Sequence, residues 1–313
     1  MVYDLLITIL GGLMLKKMEK TLANKISLSG TGLHSGTEAT VSLLPSQSGG
    51  IVFKRTDIGV TIPARHTNVS QDDLLLSTVL KHEHGRIGTV EHVLSAISGM
   101  EIDHAVILVN GPEIPILDGS SWSFAMAIQE AGITELSSHA VRYEIVKTFE
   151  YTEGDKYFCA TPGANMFVDY SVDFGKNFVQ NCRMTISREK YLDNISRAKT
   201  FCREVDLYKI RAAGMAKGGN RTNALILGED RVLNHEQQSY ENELARHKIL
   251  DFIGDMSLLG GKLHGTFRIH KGGHKFHNDC LRKMLANNII CKKKTDNEIE
   301  ELPLWLYPVA AYG

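Results

Sequence analysis

From Asn24 onward, apolar and polar residues alternate through "NKISLSGTGLHSGTEATVSLLP", with glycines breaking the runs. A period of two predicts strands joined by glycine turns. "GIVFKRTD" reads as a further strand. In "GTVEHVLSAISGM" the period lengthens, and Val90, Val93, Leu94 and Ile97 share one helical face. "DHAVILVN" is a short apolar run of strand type. "NGPEIPILDGS" is a turn-rich loop with two prolines, and "SWSFAMAIQEAGI" is a helix ended by Gly132. Strands resume in "VRYEIVKTFEYTEGDKYFCATP" and "MFVDYSVDF". A long basic, glycine-bearing region covers residues 202–223. Next come a helix from about Glu241 to Leu259, the strand "KLHGTFRIHKGGH" and the helix "NDCLRKMLANN". The tail "CKKKTDNEIEELP" is charged and expected to be exposed.

Both halves follow one order: strands, helix, strand, loop, helix. Their central helices look related, "EHVLSAISGM" against "RHKILDFIGDM", and His92 and His247 fall at matching places. This weak repeat predicts an α+β fold of two similar domains, each a β-sheet packed with α-helices. With the helical layers facing each other, both histidines reach one inter-domain cleft, a usual place for a ligand. A boundary within "ELSSHA" gives domains over residues 18–138 and 139–313. The opening "MVYDLLITILGGLMLKK" has an apolar run too short for a spanning helix of roughly 20 residues. Asp4 precedes that run and the lysines follow it, the reverse of a signal peptide. Residues 1–17 are expected to be an extension outside the fold.

Composition changes this picture little. The chain has 313 residues, 43% of them hydrophobic, and a net charge of −1, so any polyanion site must be local. Nucleic acid is not an expected partner. The five cysteines include no C-x-x-C pair, and the first of them is Cys159. That argues against a disulfide framework and against a cysteine-ligated zinc, and it fits a reducing cytosol.

The candidate chemistry begins in "ARHKILDFIGD". On a helical wheel Ile249, Phe252, Ile253 and Met256 cluster on one side. His247, Asp251 and Asp255 lie on the other, with Lys248 at its edge. Spacing of i, i+4 lets His and Asp meet as metal ligands, but a solvated helix face shows the same pattern. "TVEH" offers Glu91 beside His92. Neighbours on a helix diverge, so the pair could divide labour: the His on a metal, the Glu as general base. Taken alone, the pair reads equally as an acidic helix start beside a satisfied histidine. His92, His247 and Asp251 together would make a two-His, one-carboxylate set with an open position, the pattern of catalytic zinc. They lie about 155 residues apart, so spacing cannot show that they meet. In "RIHKGGHKFH", His270, Lys271, His274 and His277 lie in or just after a glycine turn. A His there could act as general acid, with Asp255 as a supporting carboxylate, or the turn could be a solvated basic loop. Thr200 in "AKTF" could donate to an oxyanion. "GMAKGGNRTNA" lacks G-K-[ST] and is no phosphate loop.

Taken in order, "SGTGLHSG", "TVEHVLSA", "NGPEIPILDGS", "ISRAKTF", "KGGNRTNALIL", "ARHKILDFIGD" and "HKGGH" resemble one family over nearly the whole chain from residue 18. It is the zinc-dependent UDP-3-O-acyl-N-acetylglucosamine deacetylases of lipid A biosynthesis. The resemblance implies hydrolysis of the 2-acetamido group of a UDP-linked, 3-O-acylated glucosamine. It implies one zinc ion per chain on His92, His247 and Asp251. Glu91 would be the general base, and His274 the general acid or electrostatic stabiliser supported by Asp255. Thr200 would help hold the oxyanion. Lys248 and Lys271, with Phe201 and Gly219, would contact the substrate. An insert within residues 202–231 would form an apolar passage for the acyl chain. A cytoplasmic monomer without stable membrane insertion is expected. Lys199 stands where an Arg is common in the family, and Cys202 where a small Gly is common. Both touch acyl-chain preference more than the reaction. The alternatives are a silent UDP-sugar-binding protein of the same fold or another zinc hydrolase. A metalloprotease of the H-E-x-x-H type is disfavoured because that motif is missing.

Overall fold

A computed structural model describes residues 17–72, 76–175, 177–295 and 298–300. Apart from Lys17, the expected N-terminal extension lies outside the described residues, as does the chain beyond residue 300.

The first half builds a five-stranded sheet in the order Ile26–Thr31, Glu38–Pro45, Ala105–Val109, Ile51–Arg55, Val60–Pro63. Ile51–Arg55 runs parallel to Ala105–Val109, and the other pairs are antiparallel. Alternation fixes the inner face: Val41, Leu43, Phe53, Ala105, Ile107 and Val109 are buried. Helix α1 (Glu91–Gly99) supplies Val93, Leu94 and Ile97 to the same core, and helix α2 (Trp122–Ala131) supplies Phe124, Ala125 and Ile128. Gly132 ends α2 at φ 76°, a conformation that side-chain-bearing residues rarely adopt. The expected "ELSSHA" boundary falls in the strand Ile133–His139, which pairs antiparallel with Met18–Leu22.

The second half is built on an eight-stranded mixed sheet centred on Lys262–His270. That strand pairs antiparallel with Lys156–Thr161 and parallel with Arg142–Ile145 and Met166–Asp173. Two helices precede the long one: α3 (Arg188–Asn194) and α4 (Glu204–Ala212). Helix α5 (Glu243–Ser257) and helix α6 (His274–Ala286) pack on the sheet. Phe158, Phe252, Phe267 and Phe276 interlock at centroid separations of 5.2–6.5 Å. Each such ring contributes roughly 1.5–3 kcal/mol by leaving water.

The fold is thus α+β in two halves, as expected, with α1 of one packed against α5 of the other. Gly254 permits the approach: a Cβ there would stand 2.3 Å from the Glu91 carbonyl oxygen. At the far end of α1, Glu101 ion-pairs with Lys17 (3.2 Å) and Lys20 (3.4 Å) of its own half, and also with Lys262 of the other.

Several elements differ from the sequence reading. The polar side of α5 is not wet: His247, Asp251 and Asp255 are at most 2% exposed, with α1 and α6 packed against their helix. Within the basic region 202–223, Glu204–Ala212 is helical although none of its residues is buried. Its weak apolar patterning gave no signal for it. Helix α6 begins at His274 instead of Asn278, because Gly273 in extended conformation opens it. The start of the charged tail is not free: Ile290–Thr295 pairs antiparallel with Arg142–Ile145.

Candidate active site

Glu91 and His92 open α1, and His247, Asp251 and Asp255 follow one another down α5. Facing of the two helices brings these groups together with His274 of α6. His92 Nε2 lies 3.8 Å and His247 Nε2 3.4 Å from Asp251 Oδ1. The three ligand atoms of this set lie within 4.8 Å of one another. The two imidazoles meet edge-on with centroids 5.1 Å apart.

The chemistry of this donor set fits a cation. His247 Nδ1–H donates to the Ala198 carbonyl at 3.0 Å, which leaves Nε2 as a bare lone pair aimed at the carboxylate. Burial, with His247 beside it, lowers His92 to about 3, so it too is neutral. Burial opposes ionisation of Asp251, but His247, Lys248, His274 and His92 outweigh it and hold the carboxyl well below its usual range. Asp251 Oδ1 is buried and has no hydrogen-bond partner. Lone pairs thus converge on one buried point, an arrangement that a divalent metal relieves.

The acid–base groups stand beside that point. Glu91 accepts the Thr78 N–H at 3.0 Å, and burial pushes its carboxyl up to about 7. His274 Nε2 lies 3.8 Å from Glu91 Oε1 and 3.9 Å from Asp251 Oδ2. Burial and a helix N-terminus both disfavour charge on His274. Asp255, Asp251 and Glu91 prevail over burial and raise it to about 9. Its Nδ1–H donates to Asp255 Oδ2 at 3.0 Å. The same oxygen takes Nδ1–H of His277 at 2.8 Å, and Thr78 Oγ1–H donates to Asp255 Oδ1 at 2.5 Å. Burial holds His277 below its usual value, so its Nε2 accepts from the Tyr170 hydroxyl at 2.9 Å. Asp255 is therefore fixed on both oxygens.

The remaining sequence candidates divide. Thr200, Phe201 and Gly219 line one cavity of about 290 Å³, together with Leu207 and Ile210 of α4 and Leu33 of the first half. Phe201 also meets His247 edge-on at 5.8 Å, so this cavity adjoins the donor set. Lys248 lies 5.4 Å over the Phe201 ring and reaches Asp251 Oδ2 at 2.8 Å. Lys271 is paired with Asp155 (2.9 Å) and Asp173 (3.0 Å). His270 ends its strand, and its Nδ1 shares a hydrogen bond with the Ser171 hydroxyl at 2.8 Å. Sequence reasoning missed Thr78 and Tyr170, which sit in no recognisable pattern. It noted His277 but not its role, although an i, i+3 spacing from His274 on a helix would have placed the two on one face.

The comparisons with known proteins agree with one another. Residues 19–286 match the family described as UDP-3-O-acyl N-acetylglycosamine deacetylase. A protein of that function by name, UDP-3-O-acyl-N-acetylglucosamine deacetylase, from Anaeromyxobacter sp. (strain Fw109-5) is 41% identical over 273 residues. The alignment covers 86% of this chain and 89% of the relative. A relative of the same name from Cellvibrio japonicus is 37% identical over 300 residues, 93% of this chain and 98% of its own length. One from Pasteurella multocida is 36% identical over 293 residues, with 91% and 95% covered.

Proposed function

This chain belongs to the UDP-3-O-acyl N-acetylglycosamine deacetylase family, and on that premise we propose how its residues carry out the reaction. The substrate is UDP-3-O-acyl-N-acetylglucosamine, and the products are the free 2-amine and acetate, a step of lipid A biosynthesis. His92, His247 and Asp251 hold one zinc ion, which supplies Lewis-acid polarisation of the amide carbonyl and a lowered pKa for water.

Glu91 is the general base. Its carboxyl, pushed up to about 7 by burial, takes a proton from the water that attacks the acetamide carbon. His274, charged near neutral pH, faces the same point with Nε2–H and stabilises the oxyanion that develops. It also holds a proton for the departing amine. Asp255 keeps the ring oriented and charged through Nδ1. The Thr200 hydroxyl adds a second donor to the oxyanion. Lys248 and Lys271 meet the anionic nucleotide. The acyl chain lies in the cavity between Phe201, Leu207 and Ile210. The enzyme works as a cytoplasmic monomer. Among the described residues no helix is long and apolar enough to cross a membrane.

One observation supports this reading above the rest. Glu91 and His274 flank the His–His–Asp set within 4 Å of it or of each other, in a seam shut off from bulk water. A sugar-binding protein without catalysis has no use for a buried carboxylate poised near 7. The test is Glu91→Ala assayed beside wild type for acetate release and bound zinc. Zinc should remain near one per chain while turnover falls by at least about 100-fold. Near-normal turnover would refute the assignment of Glu91.

A further inference from the structure

We propose that Glu243 is a positioning residue for the metal centre, acting through the single peptide group between Ala198 and Lys199. This rests on the zinc-deacetylase reading above. Glu243 opens α5 and is fully buried. Its carboxylate is satisfied by backbone alone among the bonds it makes. Oε1 accepts the Lys199 N–H at 2.8 Å, and Oε2 accepts those of Ser239 (2.5 Å) and Tyr240 (3.1 Å). A buried carboxylate is retained at such a place only when its lone pairs are filled, and charge-assisted bonds of this kind are strong.

Residue 247 follows residue 243 by one helical turn, on the same face of α5. His247 Nδ1–H donates to the carbonyl of Ala198. The N–H of Lys199 and the C=O of Ala198 belong to one planar unit and point in opposite directions. Glu243 therefore sets the direction of the carbonyl by holding the N–H at the other end of the plane. That carbonyl in turn fixes the His247 tautomer and ring angle, so that Nε2 faces Asp251 Oδ1 at 3.4 Å. Helix α5 thus carries both a metal ligand and the clamp for that ligand's orienting partner. The next residue, Thr200, is held independently of Glu243: its N–H donates to Gly119 O at 2.7 Å, and its carbonyl accepts from Leu225 N–H at 2.8 Å.

The experiment compares zinc dissociation constants, measured by chelator competition, with thermal unfolding of the zinc-loaded protein. Glu243→Gln should weaken zinc binding about tenfold or more, the usual effect of losing a group that orients a ligand. Its kcat should fall at limiting zinc and recover at saturating zinc, with KM unchanged. Leu244→Ala removes a buried neighbour on the same turn that makes no contact with the 198–199 peptide by hydrogen bond. It should lower the unfolding temperature and leave zinc affinity as in wild type. Equal zinc affinity in wild type and Glu243→Gln, or equal weakening in both variants, overturns the inference alone. Wild-type protein that takes up no zinc overturns the deacetylase reading and this inference with it. If Glu243→Gln does not fold, Glu243→Asp carries the test: its shorter carboxylate should weaken zinc measurably, and an unchanged constant overturns the proposal.

Discussion

A single methyl group at position 254 should pull the two halves of the active site apart. Gly254 lies where α5 crosses α1, and a Cβ there would stand 2.3 Å from the Glu91 carbonyl oxygen and 3.0 Å from its carbonyl carbon. Ordinary contact begins at 3.4 Å, and a backbone atom inside a helix cannot swing aside as a side-chain tip can. The helices must therefore separate by about 1 Å, because close-packed interiors do not absorb such a group. Overpacking of this kind costs about 1–3 kcal/mol. Alanine recovers about 1 kcal/mol over glycine in a helix interior, so the net loss of stability is roughly 0–2 kcal/mol. Catalysis should suffer more, since Glu91 rides on α1 while Asp251 and Asp255 ride on α5. A displacement of about 1 Å between reacting groups can cost on the order of 100-fold. The assay is kcat/KM for deacetylation by Gly254→Ala beside its unfolding temperature and zinc content. The expected result is a rate about 100-fold lower with an unfolding temperature only a few degrees lower, about 2–4 °C per kcal/mol. A variant with wild-type turnover would refute the argument that the closeness of this seam sets the catalytic geometry.

Other outcomes follow from the same geometry. His247→Ala should abolish zinc retention through gel filtration, and full metal occupancy in that variant would contradict the ligand set. Asp255→Asn removes the foremost of the carboxylates that raise His274 to about 9. Activity that needs the charged imidazole persists below that value and fades above it, so the basic limb of the pH–rate profile should move to lower pH while kcat falls. An unmoved limb would exclude His274 as the group reported there. Glu101 is lowered to about 2: burial raises it, but Lys262 and Lys17 outweigh that. Its folded value lies below its unfolded one, so its stabilisation is complete above about 4.5 and is lost as pH falls through about 2. After allowance for solvent screening, Glu101→Gln should cost about 1 kcal/mol at neutral pH and only a small fraction of that near pH 2, read by denaturant unfolding at each pH.

The elements that the sequence revealed are those whose apolar spacing is strong. Val93, Leu94 and Ile97 marked α1, and Ile249, Phe252, Ile253 and Met256 marked the core face of α5. The same spacing could not say what lay opposite. On a wheel His247, Asp251 and Asp255 look like a wet face, because a wheel shows one helix and not the second one that covers it. The family motifs supplied the ligand set, since no local rule joins His92 to groups so far along the chain. Thr78 and Tyr170 stayed hidden because each reaches the site from a different element and is meaningful only through its hydrogen bond to a His or Asp elsewhere. Helix α4 was unreadable for the opposite reason: it buries none of its residues, so no periodicity was required of it.

The division of the site between two distant stretches of chain has a consequence in time. Thr78 meets partners 177 and 196 residues further on, in Asp255 and His274. A growing chain that ends before α6 still lacks His274. Loop closure over such spans comes late in folding, after local hairpins and helices have formed. During synthesis the growing polypeptide should therefore stay chemically inert until α6 has left the ribosome and docked. Onset of metal uptake in a nascent chain would then serve as a clock for the joining of the two sheets.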